Sequence, residues 1–95
     1  MRRVSMVLCA MLLIAGLAAG CATQHAIHSA RAQLVSAKAA GAEWSAPFEY
    51  YAGDYYLKNA VHEAEEGDNK AANVFTKQSS DYSAQALGMA KGGAK

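Results

Sequence analysis

Only two of the 95 residues are cysteine, one is proline and one is tryptophan. Both cysteines, Cys9 and Cys21, fall near the amino terminus, so no disulfide can staple the remainder of the chain. Small domains in oxidising compartments often depend on such staples. Without them this chain must hold together through helix packing, membrane attachment or a partner. β-Branched residues are scarce and no stretch alternates with period two, which leaves strands without a signal. No concentrated basic surface is present, which argues against nucleic acid, and there is no polybasic stripe for an anionic leaflet. The sequence also lacks a Ser/His/Asp arrangement, a phosphate-cradling glycine loop and a haem-attachment motif. It therefore points to no enzyme and no cofactor.

What is present begins at the amino terminus. Arg2 and Arg3 precede an apolar run, and residues 4–24 contain no charge. This matches the basic start and apolar centre of an export signal. Residues 15–20 are nearly all small, as a peptidase requires where it reads an extended backbone. Three fates are open. The run is long enough for an uncleaved membrane helix, since about 18 uncharged residues suffice to span. Gly20-Cys21-Ala22 permits ordinary cleavage after Ala22. Leu17-Ala18-Ala19-Gly20-Cys21 resembles the lipobox of bacterial lipoproteins, in which Cys21 receives a diacylglycerol and cleavage falls on its amino side. Ala18 stands where the commonest lipobox has leucine, and Leu17 lies one position early. The resemblance implies a cleaved signal over 1–20, a mature chain over 21–95 and a lipid anchor at Cys21. Ala22 and Thr23, rather than an aspartate, follow the cysteine as in lipoproteins forwarded to the outer membrane of diderm bacteria, facing the periplasm.

Removing Arg2 and Arg3 leaves seven Lys/Arg against eight Asp/Glu, a net charge of −1 with neutral histidines. This length supports one compact domain. Alanine is frequent and the pattern is helical throughout. The spacing predicts helices over about 23–41, 47–66 and 69–91. Ile27, Ala30, Leu34, Ala37 and Gly41 form one narrow stripe on the first. Pro47 suits the first turn of the second, with Glu49 near the positive end of its dipole. That helix has two apolar faces: Tyr50, Gly53, Leu57, Ala60, Val61 and Ala64 on one, and Phe48, Tyr51, Ala52 and Tyr55 nearly opposite. Asn59, His62 and Glu66 continue the second face. A helix apolar on two sides needs neighbours on two sides, so this one is expected between the other two, or against one of them and a partner. Gly67 is placed to end it in the left-handed conformation and Asp68 to cap the next. On the third helix Ala71, Ala72, Phe75, Ser79, Tyr82, Ala86, Met89 and Ala90 form the expected buried stripe. The glycine- and lysine-rich end is expected to fray. The fold expected is all-α, with two to three antiparallel helices, either a small closed bundle or an open hairpin. Its alanine-rich core promises a marginal monomer.

Two further resemblances bear on the mature chain. Ala37-x2-Ala40-Gly41-Ala42, Ala46-Pro47-x2-Tyr50, Tyr56-Leu57-x2-Ala60 and Ala64-x2-Gly67-Asp68 with Ala71-Ala72 are similar to a family of short helical bacterial lipoproteins of unknown function. Some relatives in that family sit beside an OmpA-like peptidoglycan-binding domain, which this chain does not contain. The likeness covers about residues 24–90 and implies a helical envelope lipoprotein, with no reaction. Tyr56, Ala60, Gly67-Asp68 and Ala72 also resemble a tetratricopeptide repeat. Glu63 replaces its usual aromatic, and there is room for barely two repeats where three are needed.

The candidate contact residues are aromatic: Trp44, Tyr50, Tyr51, Tyr55 and Tyr56. They either fill space left by neighbouring alanines or form a patch for protein or glycan, where tyrosine offers apolar area and a hydroxyl. His25 and His28 with Cys21 could suggest a metal site, but lipidation would remove the thiol, so none is expected. His62 and Glu66 read as a charged helix end facing water. The expected role is a non-enzymatic structural or interaction component of the envelope. It would be tethered through Cys21 and would contact an envelope protein, a second copy of itself or cell-wall peptidoglycan.

Overall fold

The computed structural model describes residues 2–93, apart from the side chains of 15–19 and of Gly93, and within this range the chain is all-α. The side chains of lipobox positions 17–19 and the tail at 94–95 lie outside the described residues. Four helical elements follow one another: α1 (Arg2–Ala39), α2 (Ala42–Ser45), α3 (Pro47–Glu65) and α4 (Asn69–Gly93). This corrects the expected count of two to three. The short linker after α1 contains a single helical turn, α2, made by Trp44 and Ser45 N–H groups donating to the Gly41 carbonyl. The expected start of the first helix near 23 is also corrected. No helix-breaking pair interrupts the upstream segment, so α1 runs back to Arg2.

The helix ends have local causes. Ala46 is non-helical at φ −143° and ψ 60°, as the residue before a proline must be to avoid its ring, and Pro47 opens α3. At the other end Gly67 adopts φ 83°. The Asp68 N–H reaches back to the Glu63 carbonyl and the Gly67 N–H to that of Ala64, closing a Schellman turn. The Asp68 carboxylate then accepts the Ala71 N–H at 3.0 Å, capping α4.

Three seams build the core. Thr23, Ile27, Ala30, Leu34 and Ala37 are buried on α1, and Tyr50, Gly53, Leu57 and Ala60 on α3, where Ala46 leads in. On α4 the buried set is Ala72, Thr76, Ser79, Ser83, Ala86 and Ala90. Each advances in alternating steps of four and three, the 3.5-residue period of helices that supercoil. The expected α4 stripe is therefore corrected: Thr76 and Ser83 lie inside, Phe75 and Tyr82 are only half-buried, and Met89 is exposed. The ring pairs Phe48–Tyr82 and Tyr56–Phe75 show that α3 and α4 are antiparallel. Because α2 turns the chain back between α1 and α3, the order is up, down, up. As expected, α3 packs against both α4 and α1, but through its inner face alone: Phe48, Tyr51 and Tyr55 on its second face stay exposed.

Small residues let α3 and α4 approach closely. The Ser79 hydroxyl donates to the Gly53 carbonyl at 2.7 Å across the seam. Ser83 is completely buried and its hydroxyl has no partner. Neighbouring serines should thus respond with opposite sign. Ser79→Ala lowers stability by about 1 kcal/mol through the lost hydrogen bond, whereas Ser83→Ala raises it by a similar amount. Thermal melting of the two variants should move in opposite directions by roughly 4–8 °C.

Candidate functional site

Among the described residues, the Phe48 side of α3 meets another element only along its α4 edge, at Tyr82. Phe48 and Tyr55 are 68% and 62% exposed, and Tyr51 beside them 55%. Together with Pro47, Ala52, Tyr56 and Tyr82 they line an open groove of about 420 Å³. Its floor is a row of rings along the α3–α4 boundary. Phe48 meets Tyr82 edge-on with centroids 6.0 Å apart. Tyr82 stacks on Tyr56 at 5.6 Å, and Tyr56 on Phe75 at 6.2 Å. Tyr55 meets Tyr56 edge-on at 5.4 Å. Offset and edge arrangements of this kind add cohesion beyond the area they bury. The rings are therefore held in place rather than free to fold over the groove.

Of the five aromatic candidates, Tyr51, Tyr55 and Tyr56 come together here. Trp44 stands on α2 with 88% of its surface exposed and does not line the groove. Tyr50 is corrected to a core residue: only 9% exposed, it belongs to the inner seam beside Gly53 and Leu57. Burial raises the pKa of its hydroxyl, and the Glu43 carboxylate adds to the shift, while Lys38 opposes it. Phe48 and Tyr82 belong to the groove and Phe75 to the ring row beneath it, although sequence reasoning did not count them as site residues. The signal that finds Phe75 and Tyr82 is their seven-residue spacing beside the α4 seam, which puts them on a flank rather than in its centre.

Cys21 lies at a boundary. Every side chain described from Arg2 to Ile14 is exposed, Val4, Leu8, Leu12 and Leu13 among them. Cys21 and Ala22 are exposed too, and among the described side chains the first buried one is Thr23. The packed body thus begins two residues beyond the cysteine. Cys9 and Cys21 are both free thiols. Among the described residues no helix is long and apolar enough to cross a membrane.

Other candidate chemistry is dispersed. Among the described residues no group of three or more His, Cys, Asp or Glu side chains could hold a metal ion. His25 and His28 are exposed on α1. His62 Nε2 lies 3.9 Å from Glu66 Oε1, with both side chains exposed. The Asp54 carboxylate bonds Lys58 at 2.8 Å and raises the pKa of its ammonium group. No known family model, curated protein or solved structure matches the chain.

Proposed function

We propose that this chain is a non-enzymatic bacterial envelope lipoprotein, exported, cleaved before Cys21 and held through that cysteine at the outer membrane facing the periplasm. On this reading the bundle projects from the membrane and presents its aromatic groove to a protein partner. The observation that carries the anchor is the position of Cys21. All the described apolar side chains before it pack against nothing, and all the buried ones follow it. Removing residues 1–20 therefore costs the core no buried side chain among those described, which suits a segment that is read and discarded. Mass spectrometry of the mature amino terminus tests this. The expected species starts at Cys21 and carries acyl mass, and an unacylated start after Ala22 would sink the reading.

Cell-wall glycan is the second reading, favoured by the nearly complete exposure of Trp44 and the partial exposure of the Phe48 and Tyr55 rings as stacking platforms. Purified sacculi separate the two. A glycan binder pellets with them in the absence of any other protein, and a protein-contact face leaves the chain in the supernatant.

A further inference from the structure

We propose that the uncovered face of α3 is the contact between two copies of this chain, paired parallel and in register about a two-fold axis along the helices. The proposal rests on the reading of the aromatic face as a protein-contact surface and names its occupant. α3 carries the alternating four-and-three repeat twice. The inner seam is filled by α1 and α4. The second runs Phe48, Ala52, Tyr55, Asn59, His62 on the opposite side, and its members are exposed or half-exposed. Phe48, Ala52 and Tyr55 make the first heptad of this second seam apolar, and Asn59 and His62 continue it as polar positions.

A parallel copy satisfies the first four of these five positions. Phe48 and Tyr55 meet their own counterparts, while Ala52 between them lets the backbones approach. Asn59 donates one amide hydrogen to the Tyr55 carbonyl at 3.0 Å. Its other amide hydrogen and its carbonyl oxygen are left to exchange with Asn59 of the second copy, and a polar residue at such a seam sets register and strand number. The charges agree. Lys58, which bonds Asp54 on its own helix at 2.8 Å and is otherwise exposed, flanks the seam on one side and Glu63 on the other, five residues later, the relation that lets an ammonium bridge a second carboxylate across parallel helices. An antiparallel copy would lose both the Asn59 pairing and the Lys58–Glu63 pairing. The topology agrees as well. Cys21 lies at the α3–α4 turn end of the bundle, so a parallel pair puts both anchors on one side, facing one membrane.

Area sets the strength. Phe48, Tyr51 and Tyr55 together offer roughly 300–450 Å² of exposed ring surface, taking 150–250 Å² for a whole ring. A standard interface needs about 800 Å² per partner. Lys58, Asn59, His62, Glu63 and Tyr82 supply part of the rest, which places the pair at the weak end. It should dissociate in the micromolar range in solution and close when both copies are tethered to one surface, where their effective concentration is high.

Cysteine cross-linking of the full-length chain in intact cells tests this. Under mild oxidation Ala52→Cys should give a disulfide-linked homodimer in at least half of the protein, and Lys77→Cys on the outer side of α4 should give none. A dimer of the unsubstituted chain through Cys21 would refute lipidation and leave the pairing to be read from Ala52→Cys in a Cys21→Ser background. Acyl mass at the amino terminus without an Ala52→Cys dimer would refute the pairing and leave the anchor standing. A bond that forms only when Ala52→Cys and Tyr55→Cys copies are mixed means antiparallel pairing and overturns the proposed register. Charge exchange supplies a readout that a folding defect cannot imitate. Lys58→Glu should reduce the Ala52→Cys dimer at least threefold, and adding Glu63→Lys should restore it; absence of rescue overturns the proposal.

Discussion

Replacing Cys21 by serine, in a chain whose residues 1–20 are exchanged for an ordinary secretory signal that is cleaved without lipidation, should move the protein from the membrane fraction to the soluble fraction and remove all acyl mass from its amino terminus. The thiol is the only group at that position that can carry the thioether, and the serine hydroxyl does not replace it. A single acyl chain binds a bilayer only marginally, with an association constant of about 10⁴ M⁻¹, while two signals together hold stably. The bundle offers no substitute once the lipid is gone. Residues 21–95 have a net charge of −1 and no basic stripe, so electrostatic attraction to an anionic leaflet does not retain it. The folded body should be indifferent, since Cys21 is exposed and is not part of the core. Circular dichroism should therefore show an unchanged helical spectrum from protein that has changed compartment. Fractionation that leaves the serine variant on the membrane would mean that some other part of the chain is the anchor.

The parts of this fold that a reader can take from the sequence are those set by single residues with one conformational use. Pro47 marks a helix start because its ring excludes helical backbone at Ala46, and Gly67 with Asp68 marks an end and a beginning. The α1 stripe is equally plain, because Ile27 and Leu34 stand out among polar neighbours. The α4 seam is harder. Its inward positions are alanine, threonine and serine, and a stripe drawn through the large residues leans toward Phe75, Tyr82 and Met89. Hydrophobicity misleads there because the seam is selected for size, and a serine is nearly as small as an alanine. The same substitution of size for polarity hides Tyr82 as a groove residue, whereas Tyr50 follows the inner face of α3 that the sequence pattern already marks. The start of α1 is illegible for another reason. Periodicity reports what packs, and residues 2–14 are helical without packing on anything. α2 is a single turn, too short for any period to show.

Gly53→Leu should abolish most of the bundle's stability, because at position 53 the neighbouring helices leave no room for a side chain. A β-carbon there would sit 2.6 Å from the Ser83 hydroxyl oxygen, 3.3 Å from the Ser83 backbone nitrogen and 3.3 Å from Leu34 Cδ1. The first contact can be relieved, since the Ser83 hydroxyl has no partner and can rotate. The second cannot, because a backbone atom moves only with its helix. Alanine at 53 is therefore a balance: it recovers about 1 kcal/mol of helix propensity and spends it on a few tenths of an ångström of displacement. Gly53→Ala should lie within about 1 kcal/mol of wild type. Leucine adds three more carbons with no space to receive them. Overpacking of this kind costs about 1–3 kcal/mol, and separating the helices also breaks the Ser79 bond to the Gly53 carbonyl, a further ~1 kcal/mol. For a domain of this length each kilocalorie is worth about 4–8 °C, so the midpoint should fall by roughly 10–25 °C. Among the described residues, the core that must absorb this has only Ile27, Leu34, Tyr50 and Leu57 as large buried members among small ones. Melting followed by circular dichroism should rank the three chains with wild type and alanine together and leucine far below. If leucine melted with the other two, the close approach at Gly53 would not exist, and the small-residue seam would not be what joins α3 to α4.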